Sequence, residues 1–239
     1  MKRALVTGGS GQIGAAICRQ LAREHLHIIV HAHRNRASAE DVTNRIIEEG
    51  GSASVACFDV TDAQAAQHAL AEILKSGPIQ VLVNNAGIHD DAPMAGMRAD
   101  QWDNVIAVSL GGFFNVTQPL LLPMIGTRWG RIITISSISA VLGNRGQTNY
   151  AAAKAGLHGA SKSLALEIAS RGVTVNVVAL GFIESRMVEQ SCKPEKIEAL
   201  VPMKRAGTPQ EVADLVGFLA SEKAGYLSGQ VIGLNGGMA

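Results

Sequence analysis

Short apolar runs alternate with longer helical patterns from one end of this chain to the other. Strands are expected at Arg3–Thr7, His27–Ala32, Ser54–Phe58, Ile79–Asn84, Gly130–Ser136, Thr174–Ala179 and Gln230–Leu234. Helices are expected at Ile13–Glu24, Ala37–Glu49, Asp62–Lys75, Ala99–Met124, Asn149–Ser170 and Pro209–Ala220. This strand–helix alternation reads as an α/β fold built on a doubly wound parallel sheet. No repeat, low-complexity stretch or linker interrupts it, so the 239 residues are expected to form one domain.

Composition narrows the class. Apolar residues make up 47% of the chain, glycine is plentiful at 26 and aromatics are only 4%, which suits close packing of helices on a parallel sheet. The formal charge of +1, with no charged run, argues against nucleic-acid and membrane-surface partners. Cys18, Cys57 and Cys192 are far apart and odd in number, which points to reduced thiols rather than a disulfide framework or a metal site. A strand beginning at Lys2 leaves no room for a signal peptide, and no apolar run approaches membrane-spanning length. A soluble, cytoplasmic protein is expected.

The first strand ends in Thr7-Gly8-Gly9-Ser10-Gly11-Gln12-Ile13-Gly14 and enters a helix. Glycines there let the backbone turn tightly and approach a pyrophosphate, whose charge is met at the helix N-terminus. Gly8, Ser10, Gln12, Ile13 and Gly14 are the candidate contacts for a dinucleotide, against the alternative of a plain tight turn. The second strand runs into His31-Ala32-His33-Arg34-Asn35-Arg36, with no acid before Glu40. An NAD-binding chain would place a carboxylate near here for the ribose 2′-hydroxyl, whereas two arginines and two histidines suit a 2′-phosphate. The cofactor is therefore expected to be NADPH, read by His33 and Arg34; a solvated basic loop is the alternative. After the third strand, Asp59 with Val60 is a candidate adenine contact or a local turn, and Asp62 or Thr61 caps the next helix. Asn84-Asn85-Ala86-Gly87 closes the fourth strand and fits a cofactor wall, a brace between strands, or both.

Tyr150 and Lys154 are spaced one helical turn apart, and Ser137 lies thirteen residues before the tyrosine. Ionising a free phenol near neutral pH needs a shift of roughly 3 pKa units, about 4 kcal/mol, which a nearby ammonium and a cationic nicotinamide ring favour. A carbonyl that accepts hydride becomes an alkoxide and needs both a proton and a hydrogen bond, so a Tyr hydroxyl with a Ser hydroxyl suits the task. Tyr-x-x-x-Lys alone is an ordinary helix pair; its weight comes from the rest of the chain.

Together, TGGSGQIG, DVTD, NNAG, Ser137, YAAAK and VNVVALGFIESRM resemble the short-chain dehydrogenase/reductase family over essentially the whole chain. Within it, GRIITISS, GQTNYAAAKAG, ASRGVTVNVVA and FLASEKAGYLSGQVIGLNGGM are most similar to the 3-oxoacyl-[acyl-carrier-protein] reductases. The resemblance implies a single-domain, seven-stranded Rossmann fold with helices on both faces, usually in a homotetramer. It implies Ser137 as oxyanion binder and Tyr150 as proton donor. Lys154 would bind the nicotinamide ribose and lower the tyrosine pKa. Residues Gly181–Val188 match the loop over the nicotinamide, with Ile183 bonding the carboxamide through its backbone and Ser185 in place of a threonine. Arg128 and Arg171 match positions near the active-site mouth that meet an acidic carrier protein.

Three positions depart from the family pattern. Gln12 stands for a glycine. Ser109 stands for the asparagine that bends the fourth helix and holds a water on the proton relay to the lysine. Leu180 replaces the proline before Gly181, leaving that turn less rigid. The region about 185–205, with Pro194 and Pro202 and weak periodicity, is expected to be a mobile lid over substrate. His89-Asp90-Asp91 and Leu142–Arg145 are expected to line the substrate entrance. The leading expectation is NADPH-dependent reduction of a 3-oxoacyl thioester, carrier-protein or coenzyme A linked, in fatty-acid or related polyketide-like biosynthesis. The alternatives are a reductase or dehydrogenase of a sugar, polyol or other small carbonyl, and a weakly active cofactor-binding subunit.

Overall fold

A computed structural model of the chain describes residues 1–185 and 193–239. Its strands are β1 (Arg3–Val6), β2 (His27–Ala32), β3 (Ser52–Cys57), β4 (Val81–Asn84), β5 (Gly130–Ser137), β6 (Val173–Leu180) and β7 (Val231–Leu234). They form one sheet in the order β3-β2-β1-β4-β5-β6-β7, and every pairing is parallel. The seven expected strands are thus all present in a doubly wound sheet. β6, Val-Thr-Val-Asn-Val-Val-Ala-Leu, is buried at every position, as a central parallel strand covered on both faces must be.

The helices divide between the two faces. α1 (Gln12–Arg23), α2 (Arg36–Glu48) and the last helix, Pro209–Ala220, enclose one core, in which Ile17, Leu21, Ile46, Val212, Val216 and Leu219 meet Ile28, Val30 and Val83. α3 (Ala63–Leu74) and two longer helices enclose the other core, where Leu70, Leu120, Met124 and Ile168 meet Leu5, Ile29, Leu82 and Ile132. The last helix has the bounds its sequence announces. Pro209 opens it, Thr208 accepts the Glu211 N–H at 3.2 Å, and Glu211 accepts the Thr208 N–H at 2.8 Å.

The single helix expected over Ala99–Met124 is three segments: α4 (Ala99–Ile106), a π-helical turn Ala107–Gly111, and α5 (Gly112–Gly126). By length and composition the stretch Ala99–Gly126 is apolar enough to cross a membrane, contrary to the sequence expectation. Val105, Val116, Leu120 and Met124 of this stretch are fully buried in the core, while Phe114 and Leu122 are exposed. α6 (Ser139–Leu142) and α7 (Thr148–Ile168) follow β5. A further helix, α8 (Pro194–Leu200), occupies part of the region read as a mobile lid; Ile197 and Val201 are buried there against Phe182, Ala206 and Met238. The last helix is therefore α9. Positions 186–192 lie outside the described residues, and with them part of the expected nicotinamide loop and lid.

Candidate active site and cofactor cleft

In a parallel sheet every strand points its C-terminal end to the same edge, and ligands bind there, where the strand order reverses. β1 is that reversal point, with β2 on one side and β4 on the other. The expected cofactor residues follow the ends of successive strands: Gly8–Gly14 after β1, His33 and Arg34 after β2, Asp59 and Val60 after β3, Asn85–Gly87 after β4, Ile183 and Ser185 after β6. Ser137 ends β5 itself. The sheet gathers all of them at one edge.

The glycine-rich loop fits a closely approaching pyrophosphate. Gly8 is left-handed (φ +63°), and its carbonyl accepts the Gly11 N–H at 3.1 Å. A Cβ on Gly14 would overlap the Gly8 carbonyl and come within 2.8 Å of Gly9 Cα, so glycine is what lets α1 start this close to β1. α1 begins at Gln12 behind Gly11, which has no side chain to cap it. Gln12 in place of a glycine leaves this turn and helix start intact.

Asn85 braces the strand ends. Its Nδ2 donates to the Thr7 carbonyl at 2.9 Å and to the Gly8 carbonyl at 3.2 Å, while the Thr7 hydroxyl accepts the N–H groups of Asn85 and Ala86. Val60 is buried, and its carbonyl accepts from Asn115 Nδ2 at 2.9 Å. Asp59 takes the Thr61 N–H and hydroxyl at 2.8 Å and pairs with His33 at 3.2 Å, which is the local-turn role. Asp62, not Thr61, caps α3.

The basic stretch from His31, in β2, to Arg36 is divided. His31 is not a surface cation: it is 2% exposed, and burial pushes its imidazole down to about 4, so it is neutral. Arg36 pairs with Glu40 at 2.8 Å along α2. Arg34 and His33 remain exposed at the mouth of the cleft.

Tyr150 and Lys154 occupy the first turns of α7. The helix start is pinned by Asn149, which donates to the carbonyls of Asp90 (3.0 Å) and Gln101 (2.9 Å) and accepts the Tyr150 N–H (2.8 Å). Lys154 is 4% exposed, donates to the Ile135 carbonyl at 3.0 Å, and has its ammonium 5.7 Å from the Tyr150 ring centre. Burial lowers it to about 8. A Cβ on Gly87 would lie 3.1 Å from Lys154 Nζ, so that glycine makes room for the ammonium. The Tyr150 phenol stands above its ordinary value, not below it: burial raises it most, a hydrogen bond with Ser137 pulls it back, and the Asp91 carboxylate adds a rise. The lysine is turned to the Ile135 carbonyl, and the lowering of the phenol comes from Ser137 instead.

Ser137 is held by a chain missed in the sequence. Its hydroxyl accepts the Ser139 N–H at 3.1 Å, Ser139 Oγ donates to Gln147 at 3.0 Å, and Gln147 donates to Asp91 at 2.8 Å. The repeated polar residues of Ser136–Tyr150 were the available signal. Ser109 is the centre of the π-helical turn that separates α4 from α5. Its buried hydroxyl has no hydrogen-bond partner among the described residues, and nor does Thr134 Oγ1 in the same small cleft.

Two expectations are corrected. Leu180 leaves no loosened turn: it extends β6, pairs with Ser137 and Leu234, and accepts the Ile138 N–H at 2.7 Å. Arg128 and Arg171 do not stand at the mouth of this subunit's site. Each precedes a strand, so they lie at the opposite edge of the sheet, a β5 length of about 20 Å or more from Ser137. They are neighbours there, the Arg128 carbonyl packing against Gly172.

Comparison with known proteins adds the lineage. The profile of the short chain dehydrogenases matches residues 2–196. A 3-oxoacyl-[acyl-carrier-protein] reductase FabG of Aggregatibacter actinomycetemcomitans is 42% identical over 236 residues, 98% of each chain. The FabG of Staphylococcus aureus strain Mu50 is 42% identical over 240 residues, 99% of this chain and 98% of that one. Nodulation protein G of Azospirillum brasilense is 44% identical over 241 residues, with 99% and 98% covered.

Proposed function

The chain belongs to the short chain dehydrogenase family of nicotinamide-dependent oxidoreductases, and from that premise we propose that it reduces a 3-oxoacyl thioester with NADPH. The substrate is carried on acyl carrier protein or coenzyme A, and the product is the 3-hydroxyacyl thioester of fatty-acid or related biosynthesis in the cytoplasm. The observation that carries the reading is the meeting of Ser137, Tyr150 and Lys154 beside the glycine-rich turn. Full-length likeness to reductases named for 3-oxoacyl carriers supports the thioester.

A bound nicotinamide supplies the hydride. Tyr150, its phenol above the ordinary value, holds a proton to give to the developing alkoxide oxygen. Ser137 accepts from Ser139 and turns its O–H to Tyr150 in the free site, and that O–H would pass to the same alkoxide oxygen when substrate is bound. Lys154, still cationic at pH 7, favours the phenolate that remains. Gly8, Ser10, Gln12, Ile13 and Gly14 would hold the pyrophosphate, and Arg34 with His33 the 2′-phosphate. Asn85–Gly87 would wall the nicotinamide side, and Ile183 and Ser185 would cover it. Exposed Phe114 and Leu122 on α5 and Leu166 on α7 support a homotetramer. A carrier protein serving this site would meet Arg128 and Arg171 only on a neighbouring subunit, given their place at the far edge.

The test is the loss of reduced-nicotinamide absorbance with acetoacetyl-coenzyme A, first with NADPH and then with NADH. Rapid oxidation with preference for NADPH is expected. Preference for NADH overturns the cofactor. Binding without oxidation, repeated with a carrier-linked substrate, shifts the reading to another carbonyl or to a silent subunit.

A further inference from the structure

We propose that His31 is a positioning residue for the cofactor, its imidazole tying the glycine-rich loop after β1 to the turn after β3. The inference rests on the nicotinamide-dinucleotide reading above. Its Nδ1 accepts the Gly8 N–H at 3.1 Å, and its Nε2 lies 2.9 Å from the Phe58 carbonyl. Both partners are backbone groups with fixed roles, which settles the tautomer: Nε2 carries the proton and Nδ1 is the acceptor. The ring also lies against Phe58, centroids 4.3 Å apart at 55°, so its orientation is held by packing as well as by two bonds.

The ties fall where a dinucleotide would need them. Gly8 begins the left-handed turn whose following amides would meet the phosphates. Phe58 directly precedes Asp59 and Val60, on the adenine side. The Gly8 carbonyl is already engaged by Gly11 and Asn85, so the bond to His31 fixes the other half of that residue's backbone. A charged imidazole would turn an Nδ1 proton toward the Gly8 N–H and break the arrangement. Burial keeps it neutral, with His33 adding to that effect and the Phe58 carbonyl and Asp59 opposing it. Ser137, Tyr150 and Lys154 stand on β5 and α7, so a loosened loop should cost cofactor affinity and spare the chemical step.

The two halves of the tie can be separated in the full-length protein. Asparagine at 31 places an acceptor near the Nδ1 position but does not reach Phe58; glutamine places a donor near Nε2 but leaves the Gly8 N–H unpaired. In NADPH titrations and steady-state kinetics, His31→Gln is expected to raise Kd and KM for NADPH about tenfold with kcat nearly unchanged, the consequence of stranding a buried donor. His31→Asn should recover most of that loss. Unchanged Kd and KM in both variants, a kcat falling in step with binding, or equal unfolding of both would overturn the proposal. Wild-type protein that binds neither NADPH nor NADH would instead overturn the cofactor reading, and His31 with it.

Discussion

The Ser139 N–H donates to the Ser137 hydroxyl at 3.1 Å, and this fixes what Ser137 can do. A hydroxyl that accepts from the backbone still has its proton to give. Ser137→Ala should therefore lower kcat by about two to three orders of magnitude, the usual loss for one oxyanion donor. NADPH affinity should not move. A variant that keeps a tenth of the parent turnover would mean the alkoxide is held by Tyr150 alone.

Lys154 is buried at the expense of stability. Its ordinary value is 10.5 and its folded value about 8. Between these limits the unfolded chain holds a proton that the folded one lacks, so stability rises with pH across that window. Below pH 8 the burial cost is fully present; above 10.5 it is gone. Lys154→Met should remove turnover and raise the Tm by a few degrees at pH 7, the lost bond to Ile135 offsetting part of the gain. The advantage should shrink as pH climbs past 8. A lower Tm at pH 7 would show that the bond to Ile135 outweighs the desolvation.

Gly14 is where α1 passes closest to the loop. A methyl there overlaps the Gly8 carbonyl oxygen, and neither backbone can retreat without moving Gly11 and His31. Gly14→Ala is expected to cost about 1–3 kcal/mol of stability. It should also weaken NADPH binding more than about tenfold. Denaturant unfolding and a cofactor titration check the two parts separately. Full binding by the alanine variant would mean that the loop does not carry the phosphates.

The sequence carried the fold in its period and its caps. β2 and α9 have the bounds their patterns announce, one a closed apolar run, the other opened by Thr208-Pro209 with Glu211. β3 starts two residues earlier than expected, because Ser52 and Ala53 pair with His27 and Ile28 and pairing partners are not written in a strand's own pattern. The π-helical turn at Ala107–Gly111 left no mark in the periodicity, which runs through it unbroken; only the family resemblance at Ser109 pointed to an irregularity there. The inward face of His31 was readable from strand alternation, which sets it with Ile29 rather than among the basic residues that follow. Arg128 and Arg171 show the reverse failure. Residues just before a parallel strand go to the edge opposite the site, and that rule contradicts placing them at this subunit's mouth.

Ser109 already sits at a π-helical interruption, at the position where the family's asparagine would bend the helix. Its hydroxyl shares a cleft with Thr134 Oγ1, so an added amide would have a polar neighbour rather than a new geometry to impose. Ser109→Asn should leave kcat within about threefold, under 1 kcal/mol in barrier height. A gain of several orders from a nearly silent parent would sink the active-enzyme reading.

Of the two side chains assigned to the 2′-phosphate, Arg34 should set cofactor preference more than His33. Of the four basic residues from His31 to Arg36, His31 is buried within β2 and neutral, His33 is paired with Asp59 and Arg36 with Glu40. Arg34 is the one whose fixed charge is presented at the mouth of the cleft, and its guanidinium can take a phosphate through two parallel bonds. Arg34→Asp removes that cation and installs the type of side chain that accepts a ribose 2′-hydroxyl. Loss of a charge-assisted bond, with repulsion added, should raise the KM for NADPH by about ten- to a hundredfold. The KM for NADH should fall or stay level, so that preference reverses in the same oxidation assay. Unaltered preference would transfer the phosphate to His33, which Asp59 would then have to release, and the double variant His33→Ala with Arg34→Asp would be the next measurement.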